Sequence, residues 1–510
     1  MSGISYSFPV PARSAEDKAP AASGSAETCA ALEGRQVGSA VIDKAEFLAV
    51  GTATSPYGQK AATEICKVSA RVSAGPDSEI KIRVWLPANW NGKMYGVGGG
   101  GFSGSLVIDG IALTDPVNKG YASVATDAGH DHSDKVIWAL NHPEKIADFG
   151  HRANHLGAVA AKAILNQYYG APAKRSYFHG CSNGGRDALM LAQRYPGDYD
   201  GIIVGAPANR WTALMSSFRR NEQVVRLSPG VDTLGPKLGL VHDAVMKQCD
   251  ALDGARDGLI GNPNQCRFNP AVLQCKSNAT STASCLSKPE VAAFRGIYQG
   301  TRTRDGKLIM AGYSPGSEYQ WSSWFTKPDG PAPGMGRDFF RFMVYNDPKW
   351  DENSFVLDRD YPRAKRDTGP LVDATDTDLR PFLRSGGKLL MYHGWDDAAI
   401  PARNSIDYFG AARRTAGSRA DQMRLFMVPG MAHCGGGNGP GSLDTLGALE
   451  TWVENGTAPE QLVATKYENE IQAKLGQPTK VLKTHPACPW PKTPHYRSGP
   501  VEDASSFVCR

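Results

Sequence analysis

The order of apolar and polar residues in the first part of the chain predicts strands that alternate with helices. Residues 79–85 alternate apolar and polar side chains, which is the period-two pattern of a half-exposed strand. The segments 93–97 and 121–127 predict two further strands, and the wholly apolar run 201–206 is typical of a buried parallel strand. Residues 152–169 are rich in alanine and repeat apolar residues at i, i+3 and i+4, which predicts a packed helix. This alternation indicates an open α/β sheet.

The alternation stops after Pro207 and returns only in the last part of the chain. Residues 209–374 are rich in proline, glycine and aromatic residues and show no regular strand–helix alternation, so we interpret them as an inserted lid domain. Apolar strands resume at Lys388 and Arg424, and residues 443–453 predict a closing helix. The predicted fold class is therefore α/β, with a large insertion in the sheet domain.

This pattern divides the chain into three parts. Residues 1–27 are rich in alanine, serine, proline and charge, which predicts a disordered tail. The sheet domain comprises residues 28–208 and 375–510, and the lid comprises residues 209–374. Residues 1–28 contain no apolar stretch of the kind found at the centre of a signal peptide.

The composition excludes several classes of partner. Hydrophobic residues at 41% and charged residues at 21% are ordinary for a globular protein. A net charge of +5 is mild, and no lysine/arginine block carries interleaved aromatic residues, so we expect no nucleic-acid partner. No apolar run is long enough to span a membrane. Ten cysteines without a C-x-x-C pair favour five disulfide bonds and an oxidising compartment over a zinc site or ten buried thiols.

The chemical centre of the chain is a turn between a short strand and a helix. Residues 176–179 predict the strand, the helix opens at Gly184, and the turn Gly180-Cys-Ser-Asn-Gly184 fits G-x-S-x-G. This is the pattern of a nucleophile elbow, in which Ser182 would sit at a strained corner with its hydroxyl exposed. The flanking glycines are needed because a Cβ there would collide with the neighbouring strand and helix. The helix start also directs free N–H groups at the reacting atoms.

A serine nucleophile needs a base, and this type of fold places an acid and then a histidine further along the chain. The strand from Lys388 runs into a loop with Asp396 and Asp397, and the strand from Arg424 ends in a loop with His433. His393 is a second histidine near the acid loop, but it precedes that loop on the strand, and we interpret it as a packed residue.

A glycine run follows the strand at 93–97. Residues 98–104 (GGGGFSG) lack the Lys-Ser/Thr of a phosphate-binding P-loop. In hydrolases with a nucleophile elbow, an oxyanion hole is formed by the N–H after the nucleophile, here Asn183, and by an N–H from such a glycine-rich loop. One backbone donor in a dry site stabilises the developing charge by roughly 2.7–4 kcal/mol. The alternative is a flexible surface loop.

A second cluster of chemistry lies in the lid. Asp250, Asp253 and Asp257 fall within eight residues, and carboxylates this close repel one another unless something neutralises them. Oxygen ligands suit Ca²⁺, although the spacing is not that of an EF-hand and no glutamate closes the loop. The alternative is a solvated acidic turn.

Taken together, these motifs resemble the tannase and feruloyl esterase family of α/β-hydrolases, which includes a terephthalate monoester hydrolase. The matching segments are residues 180–186 (GCSNGGR), 392–397 (YHGWDD) and 429–434 (PGMAHC), and the resemblance extends roughly from Cys29 to Cys509. It implies a large lid and a triad of Ser182, Asp397 (rather than Asp396) and His433.

The resemblance also implies the bonding partners around the site. The first oxyanion donor would be the N–H of Asn183, and the second would be Gly98, with Gly99 close behind. Structural Ca²⁺ would be held by side chains of three aspartates and two backbone carbonyls: Asp250, Asp253, Asp257, Ala255 and Leu259. No organic cofactor is implied. The implied disulfides are Cys29–Cys66, Cys181–Cys434, Cys249–Cys266, Cys275–Cys285 and Cys488–Cys509.

For the substrate, the resemblance implies an ester of an aromatic acid, such as a small aromatic ester or a plant cell-wall ester. Aromatic residues of the lid are candidates for stacking on the acyl group: Trp321, Trp324, Phe339, Phe340 and Phe342. Feruloyl or other hydroxycinnamoyl esters rank first and galloyl esters second. Terephthalate monoesters rank lower, because Asn183 replaces that hydrolase's glutamate and only Arg337 and Arg341 could replace its carboxylate-binding arginine.

Three other functions stay open at this stage. The chain could be a non-catalytic calcium- and carbohydrate-binding protein on a hydrolase scaffold, a metal-dependent hydrolase, or a thiol enzyme if Cys181 is free. The expected disulfides predict a secreted or periplasmic protein whose signal peptide is absent from this chain.

Overall fold

The computed structural model describes residues 24–55, 58–106, 111–226, 234–276, 283–326 and 331–510. The described strands are β1 Gln36–Val37, β2 Ala40–Leu48, β3 Ile65–Val72, β4 Ile80–Pro87, β5 Lys93–Val97, β6 Ala122–Thr126, β7 Arg175–Cys181, β8 Gly201–Gly205, β9 Thr301–Arg302, β10 Leu308–Met310, β11 Lys388–Gly394, β12 Met423–Val428, β13 Leu462–Tyr467, β14 Val481–Pro489, β15 Pro494–Tyr496 and β16 Phe507–Cys509.

Of these strands, twelve form one mixed sheet in the order β1-β2-β3-β4-β6-β5-β7-β8-β11-β12-β14-β13. The central strands β6, β5, β7, β8, β11 and β12 are parallel, as the apolar runs predicted. Antiparallel strands extend the sheet on both sides. The fold is therefore α/β, with an antiparallel border that the sequence pattern did not show apart from β4.

The described α-helices are α1 Ala26–Ala30, α2 Ile111–Asn118, α3 Pro143–Ala147, α4 Ala153–Tyr169, α5 Asn183–Arg194, α6 Trp211–Arg226, α7 Leu238–Cys249, α8 Lys288–Gln299, α9 Pro331–Asp338, α10 Leu357–Asp367, α11 Gly369–Val372, α12 Arg380–Arg384, α13 Arg403–Ala416, α14 Thr445–Asn455 and α15 Glu470–Lys474. Within the described part of the chain, no helix has both the length and the apolar character of a membrane span.

Helices cover both faces of the central sheet. Phe178 packs in a core with α4 and α5, whereas its neighbour Tyr177 packs in a second core with α2 and α14. Ile202 and Ile203 divide between the two cores in the same way. Successive residues of a strand point to opposite faces, so both faces of the sheet are buried and the fold has three layers.

The predicted lid lies within one insertion between neighbouring strands. β8 ends at Gly205 and pairs in parallel with β11, which begins at Lys388. The described residues between them add no strand to the main sheet and are mostly helical, with one short hairpin of β9 and β10. The exact bounds of the lid, 209–374, stay a prediction.

The described residues include only the end of the predicted N-terminal tail, whereas they include every cysteine. Most of the predicted tail, residues 1–27, lies outside the described residues, but α1 begins at Ala26 after a capping box at Ser25, so the tail prediction was wrong there. All five implied disulfides are formed, and no cysteine is free in the described chain, which includes all ten. A thiol enzyme based on Cys181 is therefore excluded in this oxidised form.

Candidate active site

Ser182 stands at the corner between β7 and α5. Its backbone has φ 64° and ψ −122°, which a residue with a side chain rarely adopts. The corner is held by neighbouring backbone, because Ser182 N–H donates to the Gly205 carbonyl at 3.1 Å and the Ser182 carbonyl accepts from Ala208 N–H at 2.9 Å. Ser182 stays partly exposed while Asn183 is fully buried. This is the strained strand-to-helix turn that the motif predicted.

The glycines around the corner allow backbone to touch backbone. A Cβ on Gly180 would lie 2.1 Å from the Gly184 carbonyl oxygen, and a Cβ on Gly98 would lie 2.7 Å from Gly184 Cα. Neither contact leaves room for a side chain. The glycine-rich loop therefore lies directly against the start of α5, where an oxyanion hole requires it.

The N–H groups of that loop require a correction to the oxyanion prediction. Gly98 N–H donates to the His179 carbonyl at 3.0 Å, so this group already has an acceptor and is not a good second donor. Asn183 is the first residue of α5, and its N–H has no acceptor within the helix. Gly99 and Gly100, whose N–H groups make no backbone hydrogen bond among the described residues, are the remaining candidates for the second donor.

The Asn183 side chain points into a buried polar network beneath the corner. Its amide donates to Ser103 Oγ at 3.0 Å and its carbonyl accepts from Arg186 Nε at 2.7 Å. Arg186 is fully buried, and its guanidinium also donates to the carbonyls of Gly150 and Phe149. The bonds to Ser103 and to the carbonyls of Gly150 and Phe149 join α5 to the glycine-rich loop and to the segment before α4, so the network holds the start of the helix in place.

The predicted base His433 and the predicted acid Asp397 lie against each other. His433 Nδ1 lies 2.8 Å from Asp397 Oδ2, and Asp397 Oδ1 accepts the N–H groups of Ala399 and Ile400 at 2.8 Å each. Burial alone would raise the pKa of the Asp397 carboxyl, but the charge of His433 and hydrogen bonds from His393 and His433 outweigh it, so the pKa is lowered. Asp397 therefore remains a carboxylate that can orient the His433 ring.

The rival residues have other partners. Asp396 faces the lid, where burial and the nearby Glu318 carboxylate raise its pKa to about 8, although the His242 ring opposes this. His393 is completely buried, and its Nε2 lies 3.1 Å from Asp397 Oδ2. His393 is therefore more than the packed residue we expected. Its position four residues before Asp397 was the signal available in the sequence.

A disulfide joins the two halves of the site. The Cα atoms of Cys181 and Cys434 are 5.9 Å apart, and these cysteines are the immediate neighbours of Ser182 and His433. Because consecutive Cα atoms are about 3.8 Å apart, the Cα atoms of Ser182 and His433 lie within about 13.5 Å of each other. No hydrogen bond joins the two side chains in the described structure. Such a bond commonly tightens only when substrate is bound.

Of the five lid aromatics proposed to bind substrate, one reaches the site. The Trp324 ring meets the His433 ring edge-on, with centroids 5.0 Å apart, and Trp324 is only half-buried. The other four have at most 9% of their surface exposed and pack in the lid core: Trp321, Phe339, Phe340 and Phe342. Among these aromatics, the structure therefore favours Trp324 as a pocket wall, and substrate binding by the other four stays a prediction.

The two arginines considered for carboxylate binding are engaged elsewhere. Arg337 Nε lies 2.7 Å from an oxygen of Asp338 and 3.7 Å from one of Glu352. Arg341 donates to the Trp350 carbonyl and also approaches Glu352 at 3.5 Å. Because both charges already have partners in the lid, neither arginine is a ready receptor for a substrate carboxylate.

The acidic loop of the lid, which carries Asp250, Asp253 and Asp257, has features both for and against a metal site. Burial raises the pKa of Asp253 to about 6, and its Oδ2 is buried without a hydrogen-bond partner, which suits a cation. Asp250 Oδ1 accepts two backbone N–H groups, and Asp257 Oδ2 pairs with Lys483 Nζ at 2.7 Å. Among the described side chains, no three acidic, histidine or cysteine groups converge as a metal site. Oxygen donors of this kind suit Ca²⁺, but in this structure the Lys483 ammonium neutralises Asp257, so the calcium site stays a prediction.

Comparisons with known proteins agree with this geometry. A family model described as tannase and feruloyl esterase matches residues 66–510. An uncharacterized esterase of Xanthomonas campestris is 35% identical, over 94% of this chain and 91% of that protein. A probable feruloyl esterase B-2 of Aspergillus terreus is 31% identical, over 88% and 87% of the two chains. The crystal structure of feruloyl esterase B from Aspergillus oryzae superposes with a TM-score of 0.86 at 27% identity, covering 95% of this chain and 100% of that one.

Proposed function

Because this chain belongs to the tannase and feruloyl esterase family and is therefore an ester hydrolase, we propose that it is a serine esterase for esters of aromatic acids, with feruloyl and other hydroxycinnamoyl esters preferred. This proposal rests on the covalent link between the segment that carries Ser182 and the loop that carries His433. The strained Ser182 corner is bridged through Cys181–Cys434 to the loop of His433, whose ring is hydrogen-bonded to Asp397.

The proposed reaction has two steps. The Ser182 hydroxyl attacks the ester carbonyl while His433 Nε2 takes its proton, and His433 then protonates the departing alcohol. In the second step His433 takes a proton from water as the water oxygen attacks the acyl-enzyme, and it returns that proton to the Ser182 oxygen as the acid leaves. Asp397 keeps the His433 proton on Nδ1 and stabilises the ring when it is charged. The oxyanion of each tetrahedral intermediate is held by the N–H group of Asn183 and by that of Gly99 or Gly100, each contributing roughly 2.7–4 kcal/mol.

Contacts around the site support an aromatic acyl group and the low rank of terephthalate monoesters. Trp324 offers a half-exposed aromatic wall beside His433, on which a planar acyl group can stack. The side chain of Asn183 is occupied in the buried network, and Arg337 and Arg341 are paired within the lid. A second carboxylate on the acyl ring would therefore find no prepared partner among them. Hydroxycinnamoyl esters rank first, galloyl esters second and terephthalate monoesters third.

We also propose a structural Ca²⁺ and export from the cell. The ligands would be the side chains of three aspartates and two carbonyls: Asp250, Asp253, Asp257, Ala255 and Leu259. The metal would neutralise the buried Asp253 carboxylate and cross-link the loop that Cys249–Cys266 closes. Five disulfides support a secreted or periplasmic location, because reducing compartments do not preserve such bonds.

The test is hydrolysis of methyl ferulate, methyl gallate, a terephthalate monoester and p-nitrophenyl acetate by the wild type and Ser182→Ala. The exposed Ser505→Ala variant serves as a matched control. We expect Ser182→Ala to lower kcat by about 10³- to 10⁶-fold and to abolish labelling by a fluorophosphonate, with ferulate cleaved best by the wild type. Equal activity of the wild type and Ser182→Ala would overturn the serine mechanism. A wild type that is neither labelled nor active would instead indicate a non-catalytic binding protein.

A further inference from the structure

We propose that His393 is a positioning residue of the reaction, which contacts the same Asp397 oxygen as His433 and is itself held by Ser405. This inference rests on the proposed function, because it assigns Asp397 to the triad. It adds two residues behind the acid, in the order Ser405, His393, Asp397 and His433.

The hydrogen bonds of His393 determine which ring nitrogen carries the proton. Nε2 lies 3.1 Å from Asp397 Oδ2 and 3.0 Å from the Ile400 carbonyl oxygen. Both of these atoms can only accept, so Nε2 must carry a hydrogen. Nδ1 lies 2.7 Å from Ser405 Oγ, and a hydroxyl can donate to it. The two acceptors therefore place a hydrogen on Nε2, and the Ser405 hydroxyl holds the other ring nitrogen in place.

His393 completes the set of donors around the acid. Asp397 Oδ1 accepts two backbone N–H groups, from Ala399 and Ile400, and Oδ2 accepts His433 Nδ1 and lies 3.1 Å from His393 Nε2, whose N–H also faces the Ile400 carbonyl. Four donors match the approximately four lone-pair sites of a carboxylate. Without His393, Oδ2 would keep only the bond to His433, and the buried carboxylate could turn about its last bond. The alignment of the His433 ring would then loosen.

A purely structural role for His393 does not explain its chemistry. Both His393 and Ser405 are completely buried, and β11 carries leucine and methionine at positions 389–391. An imidazole pays a desolvation cost at such a position that an apolar side chain would avoid. The contacts of the His393 ring link the end of β11 to the loop that carries Asp397 and to α13. The polar ring therefore acts on the position of Asp397.

The test compares His393→Leu, His393→Gln and Ser405→Ala with the wild type on a substrate that the wild type cleaves. Leucine removes the donor while keeping an apolar volume, whereas the glutamine amide can reach the place of Nε2–H. We expect His393→Leu to lower kcat by roughly 10- to 100-fold with little change in KM, as for the loss of one hydrogen bond to a charged group. Glutamine should recover most of kcat, and Ser405→Ala should lower kcat less than leucine does.

Two readouts separate positioning from folding. The downfield proton resonance of the His433–Asp397 hydrogen bond should shift or broaden in His393→Leu and return in His393→Gln. The double variant of His393→Leu and Ser405→Ala should be no slower than His393→Leu alone, because both changes act through one bond. As a control, His485→Leu removes another fully buried histidine of the same sheet and should lower stability without lowering kcat.

The proposal fails if His393→Leu keeps the wild-type kcat and the resonance is unchanged. If that variant does not fold, unchanged kcat and resonance in Ser405→Ala overturn the proposal in the same way. Either result leaves the Ser182→Ala comparison intact, so this inference can fail while the serine mechanism stands. Residual activity of Ser182→Ala would instead remove the serine mechanism itself.

Discussion

Removing the disulfide behind the active site should affect both stability and catalysis. The variant carries Cys181→Ala and Cys434→Ala, and the matched control carries Cys488→Ala and Cys509→Ala, which opens another bridge between two strands. Ser182 and Cys434 both have a positive φ, of 64° and 62°, and each such residue costs of order 1–3 kcal/mol unless its surroundings hold it. Without the bridge, the His433 loop can relax away from the Ser182 corner.

The expected loss of stability follows from the lengths of the closed loops. Cys181 and Cys434 are 253 residues apart, whereas Cys488 and Cys509 are only 21 apart. The chain-entropy relation then gives losses of about 5.5 and about 3.3 kcal/mol in the free energy of unfolding. The first value is an upper figure, because two further disulfides lie inside that loop. The difference between the two variants is thus about 2 kcal/mol.

The assay pairs urea unfolding, followed by tryptophan fluorescence, with steady-state hydrolysis at a temperature where both variants are folded. We expect both variants to unfold at lower urea, but only the Cys181/Cys434 variant to lose kcat, by roughly 10-fold or more, with KM nearly constant. An unchanged kcat would refute the argument that the bridge aligns the serine with the histidine. A larger loss of stability in the control would refute the loop-length argument.

Three further predictions concern two residues of the lid, Trp324 and Asp253, and Asp396, which faces the lid. Because burial raises the pKa of Asp396 to about 8, the folded state keeps a proton that the unfolded state loses above pH 3.8. The free energy of unfolding should therefore fall as the pH rises from about 4 to about 8, and Asp396→Asn should flatten that slope in urea titrations. Trp324→Ala should raise KM for methyl ferulate by roughly 3- to 10-fold and leave p-nitrophenyl acetate nearly unaffected. A calcium chelator should lower Tm in the wild type but not in Asp253→Asn; equal shifts would argue against the metal site.

Local patterns were sufficient for much of the fold and for the chemistry. The apolar run at Lys93–Val97 became β5 with the same bounds, and the helix expected at 152–169 became Ala153–Tyr169. The G-x-S-x-G turn and the order of serine, acid and histidine needed only short motifs and their spacing. These features depend on neighbouring residues, so the sequence alone determines them.

The antiparallel strands at the two edges of the sheet, by contrast, could be identified only from the structure. β2 pairs with β3, which in turn pairs with β4, and β14 and β13 extend the opposite side. A strand's partner is chosen by contacts between residues far apart in the chain. Hydrophobic periodicity reports only which faces are buried, and so it does not show where a strand adds to a sheet.

Tertiary contacts determine which individual groups are available to take part in the site. The Gly98 N–H is taken by the His179 carbonyl, so a plausible oxyanion donor was already occupied. Trp324 reaches His433, while Trp321, three positions earlier, is buried in the lid core. His393 looked like a core residue until its ring was seen to meet Asp397. The sequence determined which residue types were present and in what order, but a hydrogen bond or an exposed face depends on what packs against it, and only the folded chain decides that.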